Sequence, residues 1–184
     1  MLIFNTLLFI KIIGLILLAD FLTGVFHFYV DKYAVMDSKY LTVSINGLLI
    51  HHDFPRKMVG QSYWDLTKGV YKIGGAIFLI SLFFGFYWEV LFFILVSAQA
   101  NLIHKWSHQD KTETSIIVYY LQKFCIIQNK KHHLKHHNGH YDGYYCVMTN
   151  ICNPLLQKLH FWEAIVRGLK FFGIHPVNRT TEFY

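Results

Sequence analysis

Residues 73–103, IGGAIFLISLFFGFYWEVLFFILVSAQANLI, decide how the chain is folded, and they contain a single charged side chain, Glu89. One continuous helix over this stretch would measure ~46 Å, too long for a hydrocarbon core of ~30 Å, and would hold Glu89 near its centre. A charge at that depth costs at least ~2.5 kcal/mol. A hairpin avoids the cost. Two helices then meet at Gly85, Phe86, Tyr87 and Trp88, and Glu89 sits at the turn in headgroup or water. The arms are short, so they borrow the flanking residues 69–72 and 104–106.

Working outward, residues 2–19 are apolar apart from Asn5, Thr6 and Lys11, and the run continues past Asp20 to Val30. No basic segment precedes this run and no A-x-A cleavage pattern follows it, so it reads as an uncleaved transmembrane helix over roughly residues 7–30 rather than a signal peptide. The first helix and the hairpin make three crossings. Lys11 then lies on one side, and it is the only one of the 17 basic residues outside segments 31–72 and 105–184. By the positive-inside rule the crowded side is the cytoplasm. All twelve histidines fall in or next to that face.

Composition agrees with a membrane protein. Of 184 residues, 54% are hydrophobic and 15% charged, which excludes disorder and leaves too much apolar surface for a small soluble body. Cys125, Cys146 and Cys152 form no disulfide framework. The net charge of +6 suits anionic lipid headgroups, and with only three Arg among the basic residues it gives no support to nucleic-acid binding. Residues 41–50 and 115–127 are apolar but too short to cross. Leu155, Leu156, Leu159, Trp162, Ile165, Val166 and Leu169 recur at helical spacing, predicting one amphipathic helix on the membrane surface. The expected fold is an all-α integral membrane protein, a single domain over residues 1–184. It has about three to four transmembrane helices and a His-rich helical cap on the cytoplasmic face.

Nine histidines form four groups: His27, His51 with His52, His104 with His108, and His132, His133, His136 and His137. His104 and His108 are four apart and share a helical face; His133, His136 and His137 do so as H-x-x-H-H. Asp31 follows His27 by four residues and is placed to orient its ring. Imidazole suits iron, zinc and copper, and eight ligands exceed the needs of one ion, so two metal ions are expected. The zinc-protease pattern H-E-x-x-H is absent, and no Glu precedes a His by three as in ferritin-type sites. Haem calls for His on facing transmembrane helices, whereas these lie in or beside the cytoplasmic segments. There remains a His-ligated pair of irons that activates O₂ and abstracts hydrogen from lipid. The enzymatic alternative is a lipid hydroxylase with the same site, and the non-enzymatic one is a membrane metal-binding or transport protein.

Four motifs are similar to those of the Kua or plasmanylethanolamine desaturase family, which includes the plant plastid phosphatidylglycerol desaturase. Asp20-Phe21-Leu22-Thr23-Gly24 with His27 and Asp31 resembles D-F-x-[ST]-G-x-x-H-[WF]-x-x-D, and His51-His52-Asp53-Phe54-Pro55 resembles H-H-x-x-P. Asn101 to His108 is close to N-x-I-H-K-W-S-H, and Lys131 to His137 running on to Tyr144-Tyr145-Cys146 looks like K-H-H-x-x-H-H…Y-[FY]-C. The resemblance extends over residues 20–176. Gln61 and Tyr141 stand where the ether-lipid branch has His, as in the plant branch, while the N-x-I-H-K-W-S-H box favours the ether-lipid branch.

The resemblance implies an O₂-dependent desaturase with a di-iron centre that inserts a double bond near the glycerol end of an acyl or ether lipid. Electrons would come from a cytochrome b5- or ferredoxin-type donor. The membrane would be the endoplasmic reticulum in a eukaryote or the inner membrane in a bacterium. The implied catalytic metal ligands are His27, His51, His52, His104, His108, His133, His136 and His137. Asp31 orients His27. Gln61 is a weak ligand or a hydrogen bonder behind the ligands, and His132 is an adjacent residue that the plant branch replaces with Gln. His140, His160 and His175 are read as surface residues.

Overall fold

The hairpin forms where a buried charge would otherwise have stood. Helices α3 (Tyr63–Leu82) and α4 (Trp88–Ala98) are joined by a turn at residues 83–87 in the computed structural model, which describes residues 2–37, 39, 41–138 and 141–177. The chain reverses at Gly85, whose φ of 121° disfavours any side chain. Ser62 starts α3 by accepting the Asp65 amide at 3.2 Å. Glu89 lies in the first turn of α4 and accepts a hydrogen bond from Lys11 at 2.7 Å, with the Lys11 ammonium also 5.7 Å from the centre of the Trp88 ring. The hairpin turn and the Lys11 turn of α1 therefore share one end of the molecule. The topology read from the sequence requires this.

Helix α1 (Leu2–Tyr33) is longer than the expected span, and over Asn5–Tyr33 it is the one helix among the described residues long and apolar enough to cross a membrane. Helix α3 carries Asp65, Lys68 and Lys72, and α4 is 11 residues long before Gln99 separates it from α5 (Ala100–His108). Apolar side chains remain exposed along all three long elements, among them Phe9 and Ile10 on α1, Leu79 and Ile80 on α3, and Leu95 on α4. Short helices complete the chain. These are α2 (Thr42–Asp53), followed by a 3₁₀ turn Pro55–Gly60, then α6 (Ile116–Lys123), α7 (Lys130–His137), α8 (Cys152–Lys158) and α9 (Phe161–Phe171). No strand occurs among the described residues.

The single amphipathic helix expected over residues 155–169 is instead α8 and α9. The break falls at Leu159 and His160, where His160 adopts a φ of 49°. Apolar spacing alone carries across such a break, because the residue that turns the chain is polar and exposed. The bend brings Trp162 inward, stacked on Phe28 at 4.9 Å and edge-on to Tyr145 at 5.0 Å.

Residues 143–149 form a buried non-helical segment, an arrangement tolerated only when every backbone polar group finds a partner. Side chains from elsewhere supply these partners. Asp20 on α1 accepts from the Met148 amide (2.8 Å), the Thr149 amide (3.1 Å) and the Thr149 hydroxyl (2.6 Å). Asn153 accepts the Cys146 amide at 2.9 Å, and Asn153 and Gln128 each donate to the Cys146 carbonyl at 2.7 Å. The segment lies so close to α1 that a Cβ on Gly24 would stand 2.5 Å from Cys146 Sγ. Gly24→Val should therefore force the segment away and cost roughly 1–3 kcal/mol. The check is thermal unfolding in detergent, with a lowered midpoint and a parallel loss of bound metal expected.

Candidate metal centre

Four helices deliver nine donor side chains to one place. Helix α1 contributes His27 and Asp31, α2 His51 and His52, α5 His104 and His108, and α7 His133, His136 and His137. Spacings of four put both α1 donors, and both α5 donors, on one helical face. Adjacent residues on a helix point ~100° apart, so each His-His pair is split between two sites. In the first group His51, His104, His108, His133 and His137 bring one ligand atom each within 4.8 Å of all the others. In the second group His27, Asp31, His52 and His136 do the same. The groups share a wall: the rings of His51 and His52 are 5.8 Å apart, those of His136 and His137 5.5 Å, and those of His27 and His104 5.8 Å.

Hydrogen-bond accounting distinguishes this cluster from an ordinary polar core. His133 Nε2 lies 2.8 Å from His108 Nε2, 3.0 Å from His104 Nε2 and 3.0 Å from His137 Nε2. A neutral imidazole nitrogen carries one proton or one lone pair, so it can satisfy one of those contacts. His51 Nε2 joins the same point, 3.1 Å from His137 Nε2. Burial, and then the neighbouring imidazoles, hold His133 and His51 far below the usual histidine range and bring His137 down to about 2. The rings are therefore neutral at pH 7, and more Nε2 atoms converge than hydrogen bonds between them can pair. A cation relieves that crowding, and the donor set fits a metal ion of borderline softness.

The second group is oriented from behind. His27 Nδ1 donates to the Tyr145 carbonyl at 3.0 Å and His136 Nδ1 to the Gly143 carbonyl at 2.7 Å, which leaves both Nε2 atoms facing inward as acceptors. Those two Nε2 atoms are buried without a hydrogen-bond partner. Asp31 faces them, with Oδ2 3.4 Å from His27 Nε2 and 3.3 Å from His136 Nε2, and Oδ1 2.9 Å from His52 Nε2. Asp31, expected to orient His27, faces that ring from the inner side. Its carboxylate meets the inward nitrogen of His27 and the Tyr145 carbonyl holds the outer one, so Asp31 is grouped with the side chains that could hold a metal ion. The first group is all imidazole, whereas the second carries a negative charge.

The remaining expected residues separate clearly. His132 turns to the other face of α7, its Nε2 3.3 Å from Asn153 Nδ2 and its ring against Tyr144 at 5.4 Å, outside both groups. Gln61 is exposed, and its backbone carbonyl accepts from Lys105 at 2.6 Å; no hydrogen bond joins its side chain to the imidazoles. His160 and His175 are exposed, and His140 lies outside the described residues. Tyr141 covers the second group, with its ring 4.2 Å from His52 and 5.6 Å from His136. Tyr141 was marked in the sequence by standing where the ether-lipid branch has His, whereas the carbonyls of Gly143 and Tyr145 carry no such signal. The Y-[FY]-C motif after the histidines marks only the segment.

Comparison with known proteins bears on the chemistry. The family model described as the lipid desaturase domain matches residues 16–178. The chain is 28% identical over 174 residues to fatty acid desaturase 4-like 1, chloroplastic, of Arabidopsis thaliana, covering 86% of this chain and 55% of that protein. It is 28% identical over 184 residues to a probable fatty acid desaturase of Acanthamoeba polyphaga mimivirus, covering 95% of this chain and 89% of that protein. Plasmanylethanolamine desaturase 1 of Mus musculus is 26% identical over 171 residues, covering 83% of this chain and 62% of that protein. The chain thus spans only a little over half the length of its plant relative. No solved structure matches it.

Proposed function

Because the chain belongs to the lipid desaturase family, we propose that it is an integral membrane, O₂-dependent desaturase that inserts a double bond near the glycerol end of a membrane lipid chain. The observation that carries this reading is the gathering of nine donors from four helices into two adjoining groups. We assign an iron ion to each, held by His51, His104, His108, His133 and His137 in one and by His27, Asp31, His52 and His136 in the other. When bound, the iron pair supplies the redox chemistry by which O₂, two electrons and two protons, with two hydrogens from adjacent CH₂ groups, become two waters and a C=C bond. The electrons come from a cytochrome b5- or ferredoxin-type donor.

The chain's own residues prepare that site. The Tyr145 and Gly143 carbonyls fix the tautomers of His27 and His136, so no reorientation is needed when a metal enters. Burial of His104, His133 and His136, each 1% exposed or less, keeps water from the donors. Asp31 offsets part of the positive charge that two metal ions bring into a poorly solvated place. We take α1, α3 and the α4–α5 pair as three crossings, which sets the donors at the membrane end opposite the Lys11–Glu89 contact. Basic residues crowd that end, so it faces the cytoplasm. A site there reaches the first carbons of a lipid chain rather than its tail.

The substrate is an acyl or an alkyl-ether phospholipid, a choice supported by relatives named fatty acid desaturase and plasmanylethanolamine desaturase. Expressing the full chain in a host without this activity and analysing its lipids by mass spectrometry tests the reading. Loss of two hydrogens from a chain, with the new double bond next to the glycerol end, is expected. Gain of one oxygen without that loss would replace desaturation by hydroxylation.

A further inference from the structure

Beside the first donor group lies an open cleft of about 560 Å³ with a strongly basic lining. One wall is α6, which turns Gln122 and Lys123 into it; Lys111 after α5 and Lys130 and Lys131 on the first turn of α7 supply the rest. Asp110 is the lining carboxylate, and it is already held by Arg56 at 3.0 Å and Lys130 at 2.7 Å. Lys111, Lys123 and Lys131 are exposed and have no ion pair among the described residues. The start of α7 adds the positive end of its helix dipole to the same space.

Helix α6 also carries an apolar stripe that Lys123 borders, with its ammonium 5.7 Å from the centre of the Tyr120 ring and 5.9 Å from that of Tyr119. Ile116, Ile117, Tyr120 and Phe124 form one stripe at helical spacing, and all four are exposed. An exposed apolar stripe edged by Lys123 and by the basic cleft fits the plane of lipid phosphates, with the stripe in hydrocarbon and the ammonium groups among the headgroups. A soluble acidic partner would match the lysines but not the stripe. The cleft also adjoins the donors. Its lining residue Gln109 follows His108, and Lys131 precedes His133 by two residues and His137 by six, ~9 Å along α7.

We propose that Lys111, Lys123 and Lys131 bind the phosphodiester of a membrane lipid headgroup and so hold the glycerol-proximal carbons beside the donor groups. The binding site stands on the cleft alone; its role in choosing the reacting carbons rests on the desaturase reading above. The site selects for phosphate oxygens rather than for one headgroup, since the three ammonium groups are flexible point charges without fixed geometry.

The test uses the full chain in non-ionic detergent, titrated calorimetrically with dihexanoyl phosphatidylglycerol, with dihexanoylglycerol and with inorganic phosphate. The phospholipid should bind at least about tenfold more tightly than either fragment, and K111Q/K123Q/K131Q should lose that advantage. The triple Arg variant K111R/K123R/K131R should keep it, because charge and reach are preserved. Metal content, measured on the same samples, should be unchanged in both variants. Equal affinity of the Gln variant for the phospholipid would overturn the site. Inorganic phosphate binding as tightly as the phospholipid would show a free-phosphate site and overturn its assignment to lipid. Because binding is read without turnover, failure of the desaturase reading leaves this result standing, and the reverse holds too.

Discussion

Replacing His133 with Ala should lower metal occupancy of the first group and reduce lipid turnover by more than about 100-fold, since losses of 10–100-fold follow even from residues one step behind a ligand. His133 is the residue to choose because its Nε2 stands 2.8–3.0 Å from the Nε2 atoms of three other histidines. Any ion shared by the five imidazoles must contact it. The metal-free protein should respond in the opposite sense. Without a cation His133 Nε2 can satisfy one of its three imidazole contacts and crowds the other two, so His133→Ala relieves that crowding and the metal-free variant should unfold at or above the temperature of the metal-free parent. A bound metal stabilises the folded chain by mass action, and the variant should gain less from it. A merely structural histidine would behave otherwise, with the variant less stable with and without metal.

Asp31→Asn should empty the second group while sparing the first. The substitution keeps the shape but removes the carboxylate charge beside His27, His52 and His136 and turns one acceptor oxygen into an NH₂ donor. Asn is a poor ligand beside a carboxylate, and three imidazoles without a negative charge hold a divalent ion less well. Turnover should fall by more than about 100-fold, as for His133→Ala, but the cause differs. His133→Ala perturbs the all-imidazole group and Asp31→Asn the mixed one, so His108→Ala should resemble the former and His136→Ala the latter. Equal metal loss from all four variants would mean that one ion, not two, occupies the cluster.

Much of this was legible in the chain itself. Glu89 inside an apolar run dictated the hairpin, and Lys11 alone among the basic residues marked the other end; the contact between them agrees with both. The eight histidines that the resemblance implied as ligands lie in the two groups. What spacing cannot encode is which neighbour a face meets. The split of His51 from His52 and of His136 from His137 depends on how α2 and α7 are rotated against α1 and α5. Asp31 was placed on the correct stripe of α1, but its role followed from which imidazole nitrogen it faces, and that is set by the Tyr145 carbonyl on the far side of the ring. The buried segment at residues 143–149 leaves little trace because its partners, Asp20, Gln128 and Asn153, are scattered over the sequence. The break at His160 is hidden because apolar spacing continues through it.

The central claim, two adjoining metal sites with different donors, is tested most directly by elemental analysis of the full chain and of Asp31→Asn, purified in parallel without chelator. The account predicts about two iron ions per chain in the parent and about one in the variant. Zinc without iron in the parent, or the same metal count in both proteins, would contradict it.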